Sequence, residues 1–226
     1  MVELYRELAN TLNGDPFMLL LEYIGTFAGA ISGVRLACAK RFDWFGAYVI
    51  GFITALGGGT LRDMTLNISP FWMNHPSYII VTFSACVAVY LFGRRFISEA
   101  VTWFIFDTIA ISLFTVFGLE KALVFGFPWW CAIMMGVITA VFGGVLRDIC
   151  INQVPLIFRK ELYAMACVAG AVLYIVIVHF YPDAQRLAAL ICVVTIFVLR
   201  ALAIRYGWSV PVLTGRRAAI HWRKEK

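Results

Sequence analysis

The sequence contains one segment twice. Residues 42–70 and 127–155, which lie 85 positions apart, are identical at 14 of 29 positions when aligned without a gap. Unrelated segments agree at roughly one position in fifteen, so the chain carries an internal duplication. Each copy is an apolar run that reaches a glycine pair and then an arginine followed by an aspartate: Gly58, Gly59, Arg62 and Asp63 in the first copy, and Gly143, Gly144, Arg147 and Asp148 in the second.

The composition places both copies in a membrane. Hydrophobic residues make up 62% of the chain and charged residues 14%, with a mean hydropathy of +0.85. In soluble domains about a quarter of the residues are charged, and a membrane span needs about 20 apolar residues. We therefore predict an all-α integral membrane protein with seven transmembrane helices, at residues 17–38, 44–61, 78–92, 101–118, 128–146, 162–180 and 187–204.

The duplication predicts two inverted repeats. Each copy holds three spans, and an odd number of crossings starts the second copy on the opposite membrane face. The two copies are then related by a two-fold axis in the membrane plane. We predict five parts: an N-terminal extracytoplasmic segment, 1–16; a first three-helix repeat, 17–95; a second, inverted three-helix repeat, 96–181; a seventh transmembrane helix, 182–206; and a basic cytoplasmic tail, 207–226.

The basic residues predict the orientation in the membrane. Fifteen Lys and Arg residues fall on one side of a seven-span chain and four fall on the other. Because cytoplasmic segments are enriched in Lys and Arg, we expect the N-terminus outside and the C-terminus in the cytoplasm. The basic tail could also contact anionic lipid head groups, so membrane lipids are expected partners.

The glycines of the second and fifth spans mark the candidate pathway. Glycine inside a helix costs about 1 kcal/mol relative to alanine, and we predict that both helices kink or unwind here, freeing carbonyls that coordinate a cation. The alternative is close helix packing through small residues, with threonines and asparagines that cap helix ends. The candidate pathway residues are Gly57, Gly58, Gly59, Thr60, Gly143, Gly144, Thr54, Thr139, Asn67 and Asn152.

Two acidic residues occupy matching positions in the first span of each copy. Glu22 lies 40 residues before Arg62, and Asp107 lies 40 residues before Arg147. Ionisable groups inside a span are costly and mark a pathway or a structural pair. We predict ion pairs between Glu22 and Arg62 and between Asp107 and Arg147; the alternative is that the arginines extend to the head groups. The neighbouring aspartates complete these charged sites near the pore: Asp63 and Asp148.

The remaining motifs are structural. The first span has glycine at every fourth position, Gly25, Gly29 and Gly33, which allows close approach of another helix. We favour packing within one subunit over packing between subunits.

The six cysteines and three histidines show no metal-ligand spacing, and no nucleophile or phosphate-binding motif is present. We therefore expect no metal site, no cofactor, no nucleic-acid partner and no enzymatic activity.

The doubled motif resembles the prokaryotic trimeric intracellular cation (TRIC) channel family, whose bacterial members overlap a family labelled as glycine transporters. The resemblance is carried by segments 57–63 and 143–148, followed by Pro70 and Pro155. It implies a homotrimer in the bacterial plasma membrane, with a pore in each protomer lined by the second and fifth helices and K+ as the permeant ion. The Lys-Glu-Val motif of animal members is absent from the second helix, which puts animal-type gating in doubt.

The sequence is compatible with two functions. In a cation channel, freed carbonyls and neutral side-chain oxygens would replace part of the hydration of K+. In a secondary transporter of a small zwitterion such as glycine, the helix N-termini after each break would hold the carboxylate. A non-conducting scaffold gains little support from the costly doubled glycines. The resemblance favours the channel.

Overall fold

The computed structural model of the chain describes residues 16–97, 100–158 and 162–208. This part of the chain is helical and contains no strand. The predicted segments 1–16 and 207–226 lie almost entirely outside the described residues. The helices are α1 (Pro16–Ala39), α2 (Trp44–Thr65), α3 (Phe71–Asn74), α4 (Ser77–Ile97), α5 (Ala100–Val124), α6 (Trp129–Cys150), α7 (Ala164–Phe180) and α8 (Gln185–Tyr206), with short 3-10 turns at Leu156–Phe158 and Pro182–Ala184.

The outer surface of the bundle is suited to lipid. Four stretches are long and apolar enough to cross a membrane: Pro16–Ala39, Trp44–Thr65, Trp129–Cys150 and Pro182–Tyr206. Large apolar side chains are exposed along the helices, among them Phe45 at 66% and Tyr90 at 76%. Apolar surface on this scale faces hydrocarbon rather than water. The protein is therefore a membrane protein, as the composition predicts, and its described part is helical throughout its regular structure.

The helix ends recur at the spacing of the duplication. Asn67 and Asn152 follow α2 and α6 in the left-handed region, with φ of 58° and 56°. In both places the next amide bonds back to an aspartate carbonyl, at 3.0 Å to Asp63 and 2.8 Å to Asp148. Asparagine adopts this helix-ending conformation more readily than most residues. The two exposed asparagines end their helices, which is the alternative the sequence left open for them.

The start of α2 is also set by its sequence. The Asp43 side chain accepts a hydrogen bond from the Gly46 amide at 2.7 Å, as an N-cap residue does. At the equivalent point before α6 the chain has Pro128, whose fixed φ suits a helix start and which has no amide to satisfy.

The helices pack into two cores that meet where α1 and α2 contact α5 and α6. α1 lies against α2, α4 and α5, whereas α8 lies against α5 and α7. One core includes Ile31, Val34 and Leu56, and the other includes Leu119 and Ile196. The contact of α2 with α6 joins them. The duplicated glycine segments therefore lie in the centre of the bundle.

Candidate functional site

α2 and α6 cross through reciprocal backbone contacts. A Cβ added at Gly58 would overlap the carbonyl oxygen of Thr139, and a Cβ added at Gly143 would overlap the carbonyl oxygen of Thr54. The two glycines are equivalent in the duplication, and so are the two threonines. Each half thus presents the same glycine and the same carbonyl to the other. Such close backbone approach requires that neither glycine has a side chain.

We predicted that these helices kink or unwind at their glycines; the unwinding, with its freed carbonyls, is wrong, and the kink stays a prediction. α2 is continuous from Trp44 to Thr65, and α6 is continuous from Trp129 to Cys150. Their carbonyls remain in helical hydrogen bonds and are not freed to coordinate an ion. Breaking those bonds inside a membrane is costly, whereas the missing side chains allow helix contact without breaking them. Close packing, the alternative from the sequence, is what the structure has.

The flanking glycines differ in their surroundings. Gly57 is partly exposed, and a Cβ there would meet the tip of a leucine side chain at 2.9 Å. Gly59 is buried, and its Cβ would lie 2.5 Å from the ring of Phe71. Gly144 is also buried, and its Cβ would lie 3.0 Å from Tyr163 Oη. Gly59 and Gly144 therefore leave room for aromatic side chains that follow α2 and α6.

The threonine hydroxyls are turned towards their own helices. Thr54 and Thr139 are buried, and each donates to the carbonyl four residues earlier, at 2.6 and 2.7 Å. Thr60 is partly exposed, donates in the same way at 2.7 Å, and accepts a hydrogen bond from Trp72 Nε1 at 3.0 Å. Because each hydroxyl proton is used within the helix, only oxygen lone pairs are available to a passing cation.

The glycine stripe of α1 packs within the subunit. A Cβ at Gly33 would lie 2.8 Å from the backbone of α2, and one at Gly29 would lie 3.2 Å from it. Gly25 faces α5 instead, at 3.3 Å from the nearest side-chain atom. Gly118 on α5 is equivalent to Gly33 and approaches α6 in the same manner, at 2.7 Å from its backbone. Small residues thus allow α1 to pack closely against α2, and α5 to pack closely against α6.

Each Arg-Asp dipeptide forms an ion pair at the last turn of its helix. Arg62 Nε donates to Asp63 Oδ1 at 2.7 Å, and Arg147 Nε donates to Asp148 Oδ1 at 2.8 Å. The other oxygen of each aspartate accepts a backbone amide eight residues later, at 2.9 and 3.1 Å. All four side chains are buried, so these arginines do not extend to the head groups. The aspartates tie the returning chain to the helix end.

The predicted pair of Asp107 and Arg147 is present in a buried cluster at the end of α6. Arg147 Nη1 lies 2.8 Å from Asp107 Oδ1 and donates to Ser32 of α1, also at 2.8 Å. The second oxygen of Asp107 accepts from Arg200 Nη1 of α8 at 2.9 Å. Two guanidinium groups are balanced by two carboxylates, those of Asp107 and Asp148, which is how buried charge is tolerated. Asp107 thereby joins α5 to α6 and α8.

The predicted pair of Glu22 and Arg62 does not form. Glu22 Oε2 accepts the hydroxyl of Tyr78 at 2.7 Å. Arg62 is held by Asp63, and its guanidinium lies over the ring of Phe71, 5.5 Å from the centroid. The physical reason is competition between partners. The Arg62 guanidinium already has an adjacent carboxylate and an aromatic ring, and the Glu22 carboxylate already has a tyrosine hydroxyl. Within the described part of the chain, no ion pair joins Glu22 to Arg62.

Two cations missed by the sequence reasoning complete these clusters. Lys121 Nζ, near the end of α5, lies 2.8 Å from Asp63 Oδ1, and Arg200 pairs with Asp107. The residue equivalent to Lys121 in the first copy is Leu36, and α8 has no counterpart there. Comparison of the copies therefore gave no signal for either cation. The available signal is a charged residue beside a long apolar run, and a charge that flanks a membrane span gives the same signal.

The arrangement is that of a duplicated helical membrane protein with charged clusters at opposite ends of a central helix pair. Among residues 16–97, 100–158 and 162–208, no group of three His, Cys, Asp or Glu residues could hold a metal ion. The buried charged side chains described above pair with one another and stabilise helix contacts.

A family model described as "Glycine transporter" matches the chain at residues 19–94 and 104–179, once in each half. The chain belongs to this family.

Curated relatives agree with this assignment. The chain is 35% identical to a UPF0126 membrane protein of Vibrio cholerae, over 90% of this chain and 85% of the relative. It is 34% identical to the UPF0126 inner membrane protein YadS of Escherichia coli K12, over 84% of this chain and 93% of the relative. These relatives are named as membrane proteins and carry no named activity.

Solved structures confirm the resemblance to TRIC channels. A TRIC cation channel structure is 33% identical, with a TM-score of 0.79 over 88% of this chain and 98% of that chain. The TRIC trimeric intracellular cation channel orthologue of Rhodobacter sphaeroides is also 33% identical, with a TM-score of 0.80 over 84% of this chain and 98% of that chain. The structural neighbours are thus cation channels.

Proposed function

We propose that this chain forms a channel that passively conducts monovalent cations such as K+. The observation that carries the proposal is the reciprocal crossing of α2 and α6 in a chain whose solved structural neighbours are cation channels. Passive conduction needs a path that an ion can enter and leave without tight binding. A path beside two helices, with paired charges at both ends, meets that requirement without a catalytic group or a resident metal.

The contacts support two inverted three-helix repeats. Gly58 touches Thr139 and Gly143 touches Thr54, so exchanging the halves converts each contact into the other. A two-fold axis produces such reciprocity, whereas a simple translation does not. With three crossings in each copy, this favours seven transmembrane helices with α8 outside the symmetry. The repeats would then be 17–95 and 96–181, followed by the seventh helix at 182–206.

We place the N-terminus outside the bacterial plasma membrane and the basic tail in the cytoplasm. Several cations counted in the sequence lie inside the bundle and do not act as flanking charges: the buried Arg35, Arg62, Arg147 and Arg200, and the partly buried Lys121. They come from both sides of the count, and the basic residues left in loops and tail still favour this orientation. The E. coli relative is named an inner membrane protein.

The ion path is proposed to run beside the α2–α6 crossing. Gly57 and Thr60 are partly exposed there, whereas the other candidate glycines and threonines are buried in helix contacts and position the path. Near one mouth Asp63 is neutralised by Arg62 and Lys121, so of the two acids there it is the partly exposed Glu22 that is proposed to attract cations. Because the helix carbonyls are not freed, a passing ion keeps most of its water. Discrimination between K+ and Na+ is therefore expected to be weak.

The assembly is proposed to be a homotrimer. The Rhodobacter sphaeroides neighbour is described as a trimeric channel, and the share of that chain covered here is nearly complete. We extend the trimer to this protein, with a path in each protomer and membrane lipids around and between the subunits.

Secondary transport of a small zwitterion such as glycine is the alternative function. It is favoured by the description of the matching family model, and inverted repeats permit two alternating states. The continuity of α2 and α6 weighs against it in the form the sequence suggested. That mechanism needs a helix N-terminus in mid-membrane to hold a carboxylate, and neither helix begins there.

Purified protein in vesicles loaded with KCl separates the two functions. The channel predicts K+ efflux into a medium with an impermeant cation once a proton ionophore carries the balancing charge. It also predicts no accumulation of radiolabelled free glycine. Saturable, gradient-driven glycine uptake, with K+ efflux no faster than from protein-free vesicles, would overturn the proposal.

A further inference from the structure

Two tyrosines at equivalent positions make different contacts in the two halves. Tyr78 and Tyr163 lie 85 residues apart, and both are buried. The hydroxyl of Tyr78 donates to Glu22 at 2.7 Å. The hydroxyl of Tyr163 has no hydrogen-bond partner within the described part of the chain. Leaving a buried hydroxyl unpaired is unfavourable, so this difference calls for a physical reason.

The equivalent acids are paired in the complementary way. In the first half the acid, Glu22, accepts a hydrogen bond from the tyrosine, and the arginine, Arg62, pairs with the adjacent Asp63. In the second half the acid, Asp107, takes Arg147 at 2.8 Å and leaves the tyrosine. Each half has an acid, a tyrosine and an arginine at matching positions. The acid of the first half bonds to the tyrosine, whereas the acid of the second half bonds to the arginine.

We propose that the protein has a second conformation in which the halves exchange these partners. The second half takes the arrangement of the first, so Tyr163 donates to Asp107 and Arg147 leaves it. The first half takes the arrangement of the second, so Arg62 replaces the tyrosine on Glu22. Inverted repeats make such an exchange possible, because the acid, the tyrosine and the arginine are present in both halves and each acid can take the partner that the other acid has. The inference rests on the two-fold relation proposed above, not on which solute passes.

The second half already holds what the exchange needs. The position of a Cβ on Gly144 lies 3.0 Å from Tyr163 Oη and 3.6 Å from Arg147 Nη2, so hydroxyl and guanidinium are neighbours around the space this glycine leaves. Arg200 lies over the ring of Tyr163, 4.7 Å from its centroid, and holds the second oxygen of Asp107 at 2.9 Å. Asp107 therefore stays paired when Arg147 leaves.

The arginines also remain paired throughout. Arg147 Nε is bonded to Asp148 at 2.8 Å independently of Asp107. In the first half Arg62 is already held in this way by Asp63, without a bond to Glu22. The exchange thus leaves no buried charge without an opposite charge, which is the costly outcome that would otherwise prevent it.

Distances between spin labels test the exchange. Labels at Met64 and Phe127 report on one end of the α2–α6 pair, and labels at the equivalent Ile149 and Phe42 report on the other end; all four side chains are exposed. Native cysteines are replaced by alanine, the helix content is matched to the native protein, and labelled protomers are diluted with unlabelled ones. The exchange predicts two populations of label-to-label distance at each end of the helix pair. In passing from one conformation to the other, the distance at one end increases and the distance at the other end decreases.

Two conservative variants make the test decisive. Tyr163→Phe removes a hydroxyl that only the second conformation uses, so the ratio of second to first conformation should fall about fivefold. Tyr78→Phe removes one that the first conformation uses, so the ratio should rise about fivefold. Unchanged ratios, shifts in the same direction, or a single population throughout would overturn the proposal. K+ efflux is measured separately, so a failed exchange leaves the channel proposal standing.

Discussion

Replacing Asp107 by alanine should destabilise the protein by about 3–5 kcal/mol, which corresponds to a fall in Tm of about 10 °C. The carboxylate is 3% exposed and accepts one hydrogen bond from each of Arg147 and Arg200, at 2.8 and 2.9 Å. Without it, one carboxylate, that of Asp148, is left to balance these two guanidinium groups, and the hydroxyls of Ser32 and Thr108 still accept hydrogen bonds from them. Thermal unfolding of the purified protein in detergent, followed by circular dichroism, measures the loss.

The equivalent acid in the first half provides a matched control. Glu22 is only partly buried and accepts a single hydroxyl, that of Tyr78, so Glu22→Ala should cost about 1 kcal/mol. Adding Arg200→Met to Asp107→Ala should recover part of the stability, because one uncompensated charge is then removed. Equal losses at the two acids, or no recovery in the double variant, would contradict the assigned charge balance.

Gly58→Ala should prevent α2 and α6 from approaching as closely as they do, at a cost of at least about 3 kcal/mol. The added Cβ would overlap the carbonyl oxygen of Thr139, and backbone atoms on both sides cannot rotate away. Gly143→Ala should be equally damaging, because its Cβ would overlap the carbonyl oxygen of Thr54. The yield of monodisperse protein on size exclusion and its Tm measure the effect.

Gly57→Ala is the control for Gly58→Ala, because it makes the same change at the adjacent position of the same helix. A Cβ at Gly57 would lie 2.9 Å from Leu146 Cδ1, the end of a flexible side chain, and 3.7 Å from the nearest backbone atom. Alanine is favoured over glycine inside a helix by about 1 kcal/mol, so Gly57→Ala should be neutral or slightly stabilising. A variant at Gly58 as stable as the one at Gly57 would show that the crossing is not as close as described.

The sequence was most informative where the two copies could be compared. The repeated motif located α2 and α6, and the 40-residue spacing from Asp107 to Arg147 predicted a pair that the structure contains. The same spacing failed for Glu22 and Arg62, because Tyr78 comes from α4 to take the acid. Which of two available partners an acid takes depends on packing between distant segments, and spacing does not report it.

Other features had no counterpart from which they could be inferred. Lys121 is opposite Leu36 in the alignment of the copies, and Arg200 lies on a helix outside the duplication. The glycines were misinterpreted for a different reason. A glycine in a membrane helix can mark a break or a close helix contact, and only the position of Thr139 against Gly58 distinguishes them.

Single-channel recording measures passive cation conduction by the purified protein. Purified protein is inserted into a planar bilayer that separates two KCl solutions of different concentration. Passive cation conduction predicts discrete currents that reverse close to the K+ equilibrium potential and are unaffected by free glycine. Bilayers that stay silent, or currents that reverse at the Cl− equilibrium potential, would contradict it.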